Sequence, residues 1–310
     1  MPLSTAAKSH LQIHFCVLLW GFTAIFGKLI TLAALPLVWW RMLLVTVALL
    51  LLPTVWRGLR GLSARHVAAY AGIGVLISLH WLTFYAAIKL ANASVAATCI
   101  ALAPVFLALV EPWVAKRRFQ PKELLLGIGV VPGVALVVGG IPHGMRLGLA
   151  IGVLSALLVA VFSAFNKRMV DRADPLTVTC IELGTGTVFL TALTALPMAA
   201  SPFVWPSPHD GALLLLLALL CTLLPFALAL HALRHVSAFT MQIATNLEPV
   251  YAIVLAIVFL GEQHQLDPLF YFGVAIVLAT VLLHPLLNRN AAVTPAPDLL
   301  ATAESKCLAE

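Results

Sequence analysis

Residues 242–262, QIATNLEPVYAIVLAIVFLGE, place Gln242, Thr245, Asn246 and Glu248 within an otherwise apolar stretch long enough to cross a bilayer. A carboxylate at membrane depth is costly unless it has a partner, meets water or takes up a proton. Glu248 is therefore read as lining a cavity, in preference to a packed and satisfied structural acid. Pro249 lacks an N–H and leaves a carbonyl one turn earlier without its helical donor, which predicts a kink and a ligand contact. Thr245, Glu248 and Tyr251 are spaced three apart and are expected on one helix face. Gln242, Thr245, Glu248 and Tyr251 are thus candidates for substrate binding, and Glu248 with Pro249 for coupling or gating.

A second group lies at His80, Trp81, Phe84 and Tyr85. Residues four apart share a helix face, pairing His80 with Phe84 and Trp81 with Tyr85. A neutral imidazole beside aromatic rings can hydrogen-bond a zwitterion or an amide while the rings cover an apolar body. Interhelical packing accounts for the same residues equally well. Trp20 is a similar candidate. Trp39 and Trp40 fit an interfacial belt, and Arg41 a snorkelling side chain, with salt-bridging or anion contact as the lesser reading. Glu182 ranks below Glu248, because Gly184 and Gly186 nearby suggest close helix packing. Asn166, one residue before Lys167, is expected at an inner mouth.

No catalytic set accompanies these groups. There is no HExxH, GxSxG, Walker loop or CxxC pair, so neither an enzyme nor ATP-driven work by this chain is expected. Cys16, Cys99, Cys180 and Cys221 fall in apolar stretches and Cys307 in the tail, with no disulfide or metal spacing. No cofactor is implied.

The elements that hold these residues are apolar helices. Of 310 residues, 62% are hydrophobic and 10% charged, with mean hydropathy +1.05, whereas soluble chains carry ~25% charged residues. The net charge of +6 is explained by basic loops at one membrane face, not by nucleic acid. With ~20 residues per spanning helix, ten spans are predicted, near 12–31, 36–55, 66–88, 94–115, 122–140, 147–169, 175–197, 211–232, 236–260 and 268–287. The first is read as a retained span, not a cleaved signal peptide. Loop chemistry separates the spans, including the run 57–61 and residues 116–118. Residues 1–11 form a polar lead, and residues 288–310 have the composition of a disordered tail. A cytoplasmic N-terminus puts 14 of the 18 Lys and Arg residues inside, so both termini are expected in the cytoplasm.

The chain also resembles itself. Phe26-Gly27-Lys28 matches Phe165-Asn166-Lys167, Pro36 matches Pro175, Lys89 matches Arg234, Pro104-Val105 matches Pro249-Val250, and Gly127 matches Gly273. Two five-span halves follow, 12–140 and 147–287. Five is odd, so the second half is inverted, and such repeats place substrate near the midplane at their junction. The fold class expected is an all-α polytopic membrane protein with ten transmembrane helices as two inverted five-helix repeats. Pro104 joins the gating candidates through its match to Pro249. Glu248 aligns with Ala103, so its acid belongs to the second half alone.

Trp20-Gly21 followed by Phe26–Lys28, the small-residue turn at 91–95, the pairs Glu111-Pro112 and Glu248-Pro249, and Leu260-Gly261-Glu262 together resemble the EamA-type carriers of the drug/metabolite transporter superfamily. The resemblance covers about residues 12–287. It implies a ten-helix inverted-repeat transporter of amino acids, related metabolites or drugs, with a cavity built by spans one to four and six to nine. Glu111 is considered for coupling or gating, although it is not the symmetry mate of Glu248. The function expected is secondary transport of a small organic metabolite across a bacterial-type cytoplasmic membrane, in the direction of export, with a proton as candidate coupling ion. A passive facilitator or lipid scramblase, or a non-transporting scaffold, is the alternative.

Overall fold

Prolines and small polar residues set most of the helix starts in the computed structural model, which describes residues 5–114, 121–169, 172–193, 203–225, 228, 244–245 and 247–287. Regular structure among the described residues is entirely helical. In the first half, α1 is Thr5–Leu29, α2 Ala34–Leu50, α3 Pro53–Gly61, α4 Ala64–Leu90, α5 Ala93–Ile100, α6 Ala103–Val114 and α7 Pro121–Gly139. In the second half, α8 is Arg146–Met169, α9 Pro175–Leu193, α10 Pro208–Ala218, α11 Glu248–Leu260 and α12 Pro268–Leu287. Backbone groups cannot remain unpaired in hydrocarbon, so apolar segments of this length settle as helices.

Among the described residues, five helical segments are long and apolar enough to cross a membrane: Leu11–Leu29, Ala64–Leu90, Ala93–Val114, His143–Asn166 and Pro175–Leu193. The bent pair α2–α3 adds a sixth if it is one span, and four shorter apolar helices are also present. Three boundaries differ from the sequence expectation. Span two ends at Leu50, and the chain turns through 90° into α3, where a loop of Arg and Gly was expected. Pro53 opens α3 at a position that needs no N–H donor. Val55 is buried, and the Trp56 indole donates to the Leu50 carbonyl at 2.7 Å, an amphipathic arrangement suited to an interface.

The fourth span is interrupted between α5 and α6, with turn geometry at Ala101 and Leu102. The ninth does not run through Glu248 as one regular helix. Leu247 occupies a turn and α11 begins at Glu248, with Pro249 in its first turn. Proline there costs no hydrogen bond, so the kink expected at Pro249 is instead a break before it. Two caps follow sequence chemistry. Asn92 accepts the Val95 N–H at 2.9 Å to start α5, and Gly261 ends α11 with φ of 64°, in the left-handed region that glycine tolerates.

The helices of the two halves interleave. Helix α4 packs on α8 and α9, α2 on α9 and α10, α1 and α5 on α11, and α7 on α12. Close backbone approach fixes several crossings. A Cβ added at Gly273 of α12 would stand 2.6 Å from the Gly133 carbonyl oxygen of α7. Small residues at such crossings are what membrane helices use to associate.

Candidate functional site

A cavity of about 390 Å³ opens between the interleaved helices, lined by Trp20, Thr23, Arg41, His80, Trp81, Phe84, Ile100, Val159, Phe162, Cys221, Thr222, Thr245 and Glu248. Both halves contribute walls. A second cavity of about 200 Å³ adjoins it through Ile100, Val159, Thr245 and Glu248, and has Pro104 and Pro249 in its lining. Glu248 therefore stands at the junction of two spaces. The helix breaks that precede Pro104 and Pro249 lie at the same place.

The second span's arginine is the largest departure from the sequence expectation. Arg41 is only 5% exposed and points into the protein, not toward headgroups. Its Nε donates to Thr222 Oγ1 at 3.0 Å and its Nη1 donates to the Tyr85 hydroxyl at 2.7 Å. The guanidinium carbon lies 3.8 Å from the centroid of the Trp81 ring, a cation–π contact that desolvation strengthens. Thr222 is delivered by a π-helical turn, Leu219–Leu223, in which its hydroxyl donates five residues back to the Leu217 carbonyl at 2.8 Å. Such turns recur at functional sites, because they re-aim a side chain that a regular helix would place elsewhere.

His80 is held from the opposite side. Its Nδ1 lies 3.0 Å from the Ser155 carbonyl oxygen and 2.8 Å from the Ser155 hydroxyl. The carbonyl can only accept, so Nδ1 carries the proton in this network, which in the neutral ring leaves Nε2 as an acceptor. The ring lies 6.2 Å from Phe84 and 5.5 Å from Phe162, centroid to centroid. Packing and cavity lining thus both describe His80.

The sequence candidates divide as follows. Trp20, His80, Trp81, Phe84, Thr245 and Glu248 line one cavity, while Tyr85 is fully buried behind it as the partner of Arg41. Tyr251 packs beside Gly21 and its hydroxyl lies 3.3 Å from His14 Nδ1. Thr245 and Glu248 meet on the cavity across the break before α11, whereas Tyr251, one turn further along α11, is not among the cavity's lining residues. Glu111 lies half-buried in α6, outside the lining of both cavities. Asn166 interacts with the Glu182 carboxyl. Glu182 is 5% exposed, and its Oε1, like Asn166 Oδ1, has no hydrogen-bond partner among the described residues. Gln242 falls outside the described residues. No His, Cys, Asp and Glu cluster among the described residues could hold a metal ion.

Sequence reasoning gave Arg41 only a minor part and did not single out Thr222. The available signal was a lone arginine inside an apolar span, four residues from no acid that could neutralise it in its own helix.

Helices long and apolar enough to cross a membrane, with a largely apolar cavity that carries a few polar groups between them, define the class of helical membrane proteins with an internal small-molecule-sized space. The sequence model of the EamA-like transporter family matches residues 8–139 and again residues 146–286. The chain belongs to the EamA-like transporter family and is an integral membrane protein. It is 26% identical to an uncharacterised transporter of Archaeoglobus fulgidus, over 83% of this chain and 91% of that protein. It is 30% identical to a probable terminal-alkyne amino-acid exporter of Streptantibioticus cattleyicolor, over 66% of this chain and 68% of that protein. A solved crystal structure with 17% identity covers 92% of this chain and 99% of its own, with a TM-score of 0.59, a likeness of fold.

Proposed function

We propose that the protein is a secondary transporter that exports an amino acid or related small metabolite by alternating access around the central cavity. The observation that carries this reading is convergence. Trp20, His80, Trp81 and Phe84 from the first half meet Thr245 and Glu248 from the second on one space of about 390 Å³. That volume lies within the range of small-molecule sites, ~300–1,000 Å³.

The two separate family matches support two halves, and an odd number of spans in each makes the second inverted. The paired breaks before Pro104 and Pro249 support the same symmetry, since broken helices at the repeat junction are where such transporters bind their cargo. In this reading both termini are cytoplasmic, ten helices cross the membrane, and Glu248 is the carboxylate exposed to substrate and proton in turn. The named exporter among the relatives favours an amino-acid-like cargo and outward direction.

The test is reconstitution into liposomes and measurement of uptake and efflux for a panel of amino acids and related metabolites, with and without a pH gradient. Accumulation of one compound against its gradient when a pH gradient is imposed is the expected result. Equilibration without accumulation under every gradient would make the protein a passive facilitator, and no movement of any solute would remove the transport reading.

A further inference from the structure

We propose that Arg41 is the carboxylate-binding residue of the cavity and that, with Glu248, it selects a zwitterion: one small body bearing a carboxylate and an ammonium group. This rests on the transport reading above and adds the recognition chemistry.

The guanidinium is built as a docking group. It is buried, its plane is fixed over Trp81, and two donors are tied to neutral oxygens, those of Thr222 and Tyr85. A guanidinium has five N–H donors in a rigid fork, so most of them are uncommitted among the described residues. Every neighbour that holds it is uncharged. A buried cation without a counter-ion is unstable, and breaking or omitting one partner of a buried pair leaves that penalty unpaid. The fork geometry matches a carboxylate bidentately.

Glu248 supplies the complementary charge without cancelling the first. Both line the same cavity, and the Arg41 charge reaches Glu248 electrostatically, yet no direct ion pair joins them among the described residues. Opposite charges held apart across a cavity favour a ligand whose own charges are separated in the reverse order. Phe84, Phe162 and Trp20 give the remaining wall an apolar face for the ligand's body. A ligand carrying only a carboxylate would leave Glu248 unmatched, and one carrying only an amine would leave Arg41 unmatched. The π-helical turn that delivers Thr222 serves this arrangement by locking the guanidinium's orientation.

The experiment compares L-leucine, L-methionine and L-phenylalanine, each as the free amino acid, the amide and the N-acetyl derivative, as competitors and as cargo in reconstituted liposomes. The wild-type protein should favour the free amino acid over both derivatives by about tenfold or more, as expected for a charged hydrogen-bonded pair. Arg41→Gln should remove the preference for acid over amide, and Glu248→Gln the preference for amine over N-acetyl. Equal handling of acid and amide by the wild-type protein would overturn the inference without relying on any variant. So would acid-over-amide preference that survives in Arg41→Gln. Accumulation of a neutral or purely cationic metabolite, with none of the panel moved, would overturn it while leaving transport standing. Failure to move any solute would remove the transport reading itself, and the inference with it.

Discussion

The Asp210 carboxylate accepts two hydrogen bonds from Thr31, one from its backbone N–H at 2.8 Å and one from its hydroxyl at 2.6 Å. Asp210 opens α10 in the second half, and Thr31 lies in the turn between α1 and α2 in the first. A second carboxylate does the same work nearby in the chain's order: Glu262 accepts the N–H groups of Ala93 and Ser94 at 2.9 and 2.8 Å, at the start of α5. Both acids are almost completely buried. Two second-half carboxylates thus grip first-half backbone, and a carboxylate at a helix N-terminus is favoured by the exposed N–H groups there.

These contacts should be worth stability. Hydrogen bonds to charged groups contribute about 1.5–3 kcal/mol, so Asp210→Ala should lower the Tm of the purified protein measurably. Asp210→Asn keeps one acceptor and should fall between the variant and the wild type. Thermal unfolding in detergent measures this. An Asp210→Ala protein as stable as the wild type would mean that the halves are held without this contact.

The crossing of α7 and α12 gives a steric prediction with an internal control. A Cβ at Gly273 would meet the Gly133 carbonyl oxygen at 2.6 Å and the Val137 backbone nitrogen at 2.7 Å, and neither atom can swing away. Gly273→Ala should therefore destabilise by about 1–3 kcal/mol, as overpacking does. At Gly72, within α4, an added Cβ would meet nothing within 4 Å. Gly72→Ala should be neutral or stabilising by about 0.5–1 kcal/mol, because alanine is the better helix former. Thermal unfolding of the two variants side by side checks both signs.

Glu248 carries the coupling prediction. A carboxylate that holds either the substrate's ammonium or a proton, but not both, links the two fluxes by exclusion. Glu248→Gln keeps the shape and cannot exchange a proton. It should abolish accumulation driven by a pH gradient while leaving exchange of substrate at raised concentration. Undiminished gradient-driven accumulation in this variant would leave Glu248 outside the coupling.

The helical class was legible because apolar runs without charge leave the backbone no other way to pair. Glu248 stood out as an acid in an apolar run. What lay beyond reach was set by contacts between distant elements. Arg41 looks like a snorkelling residue in its own helix, and only Trp81, Tyr85 and Thr222, from two other helices, turn it inward. The π-helical turn at Leu219–Leu223 was not read from the sequence, where Pro225 two residues beyond it, lacking an N–H, is the only local mark. Tyr251 packs beside Gly21 and His14 of α1, a contact between helices that spacing within its own segment does not reveal. Asn166 and Glu182 gave no sign of each other, since they sit on different helices, α8 and α9.

The most direct measurement places a cysteine at Thr245, in a protein whose Cys16, Cys99, Cys180, Cys221 and Cys307 are replaced. Thr245 lines both cavities beside Glu248. A small water-soluble thiol reagent should label this position and block transport, and the transported substrate should slow the labelling in proportion to its occupancy. Labelling that leaves transport at its full rate, or that substrate does not slow, would contradict a substrate path through the cavity.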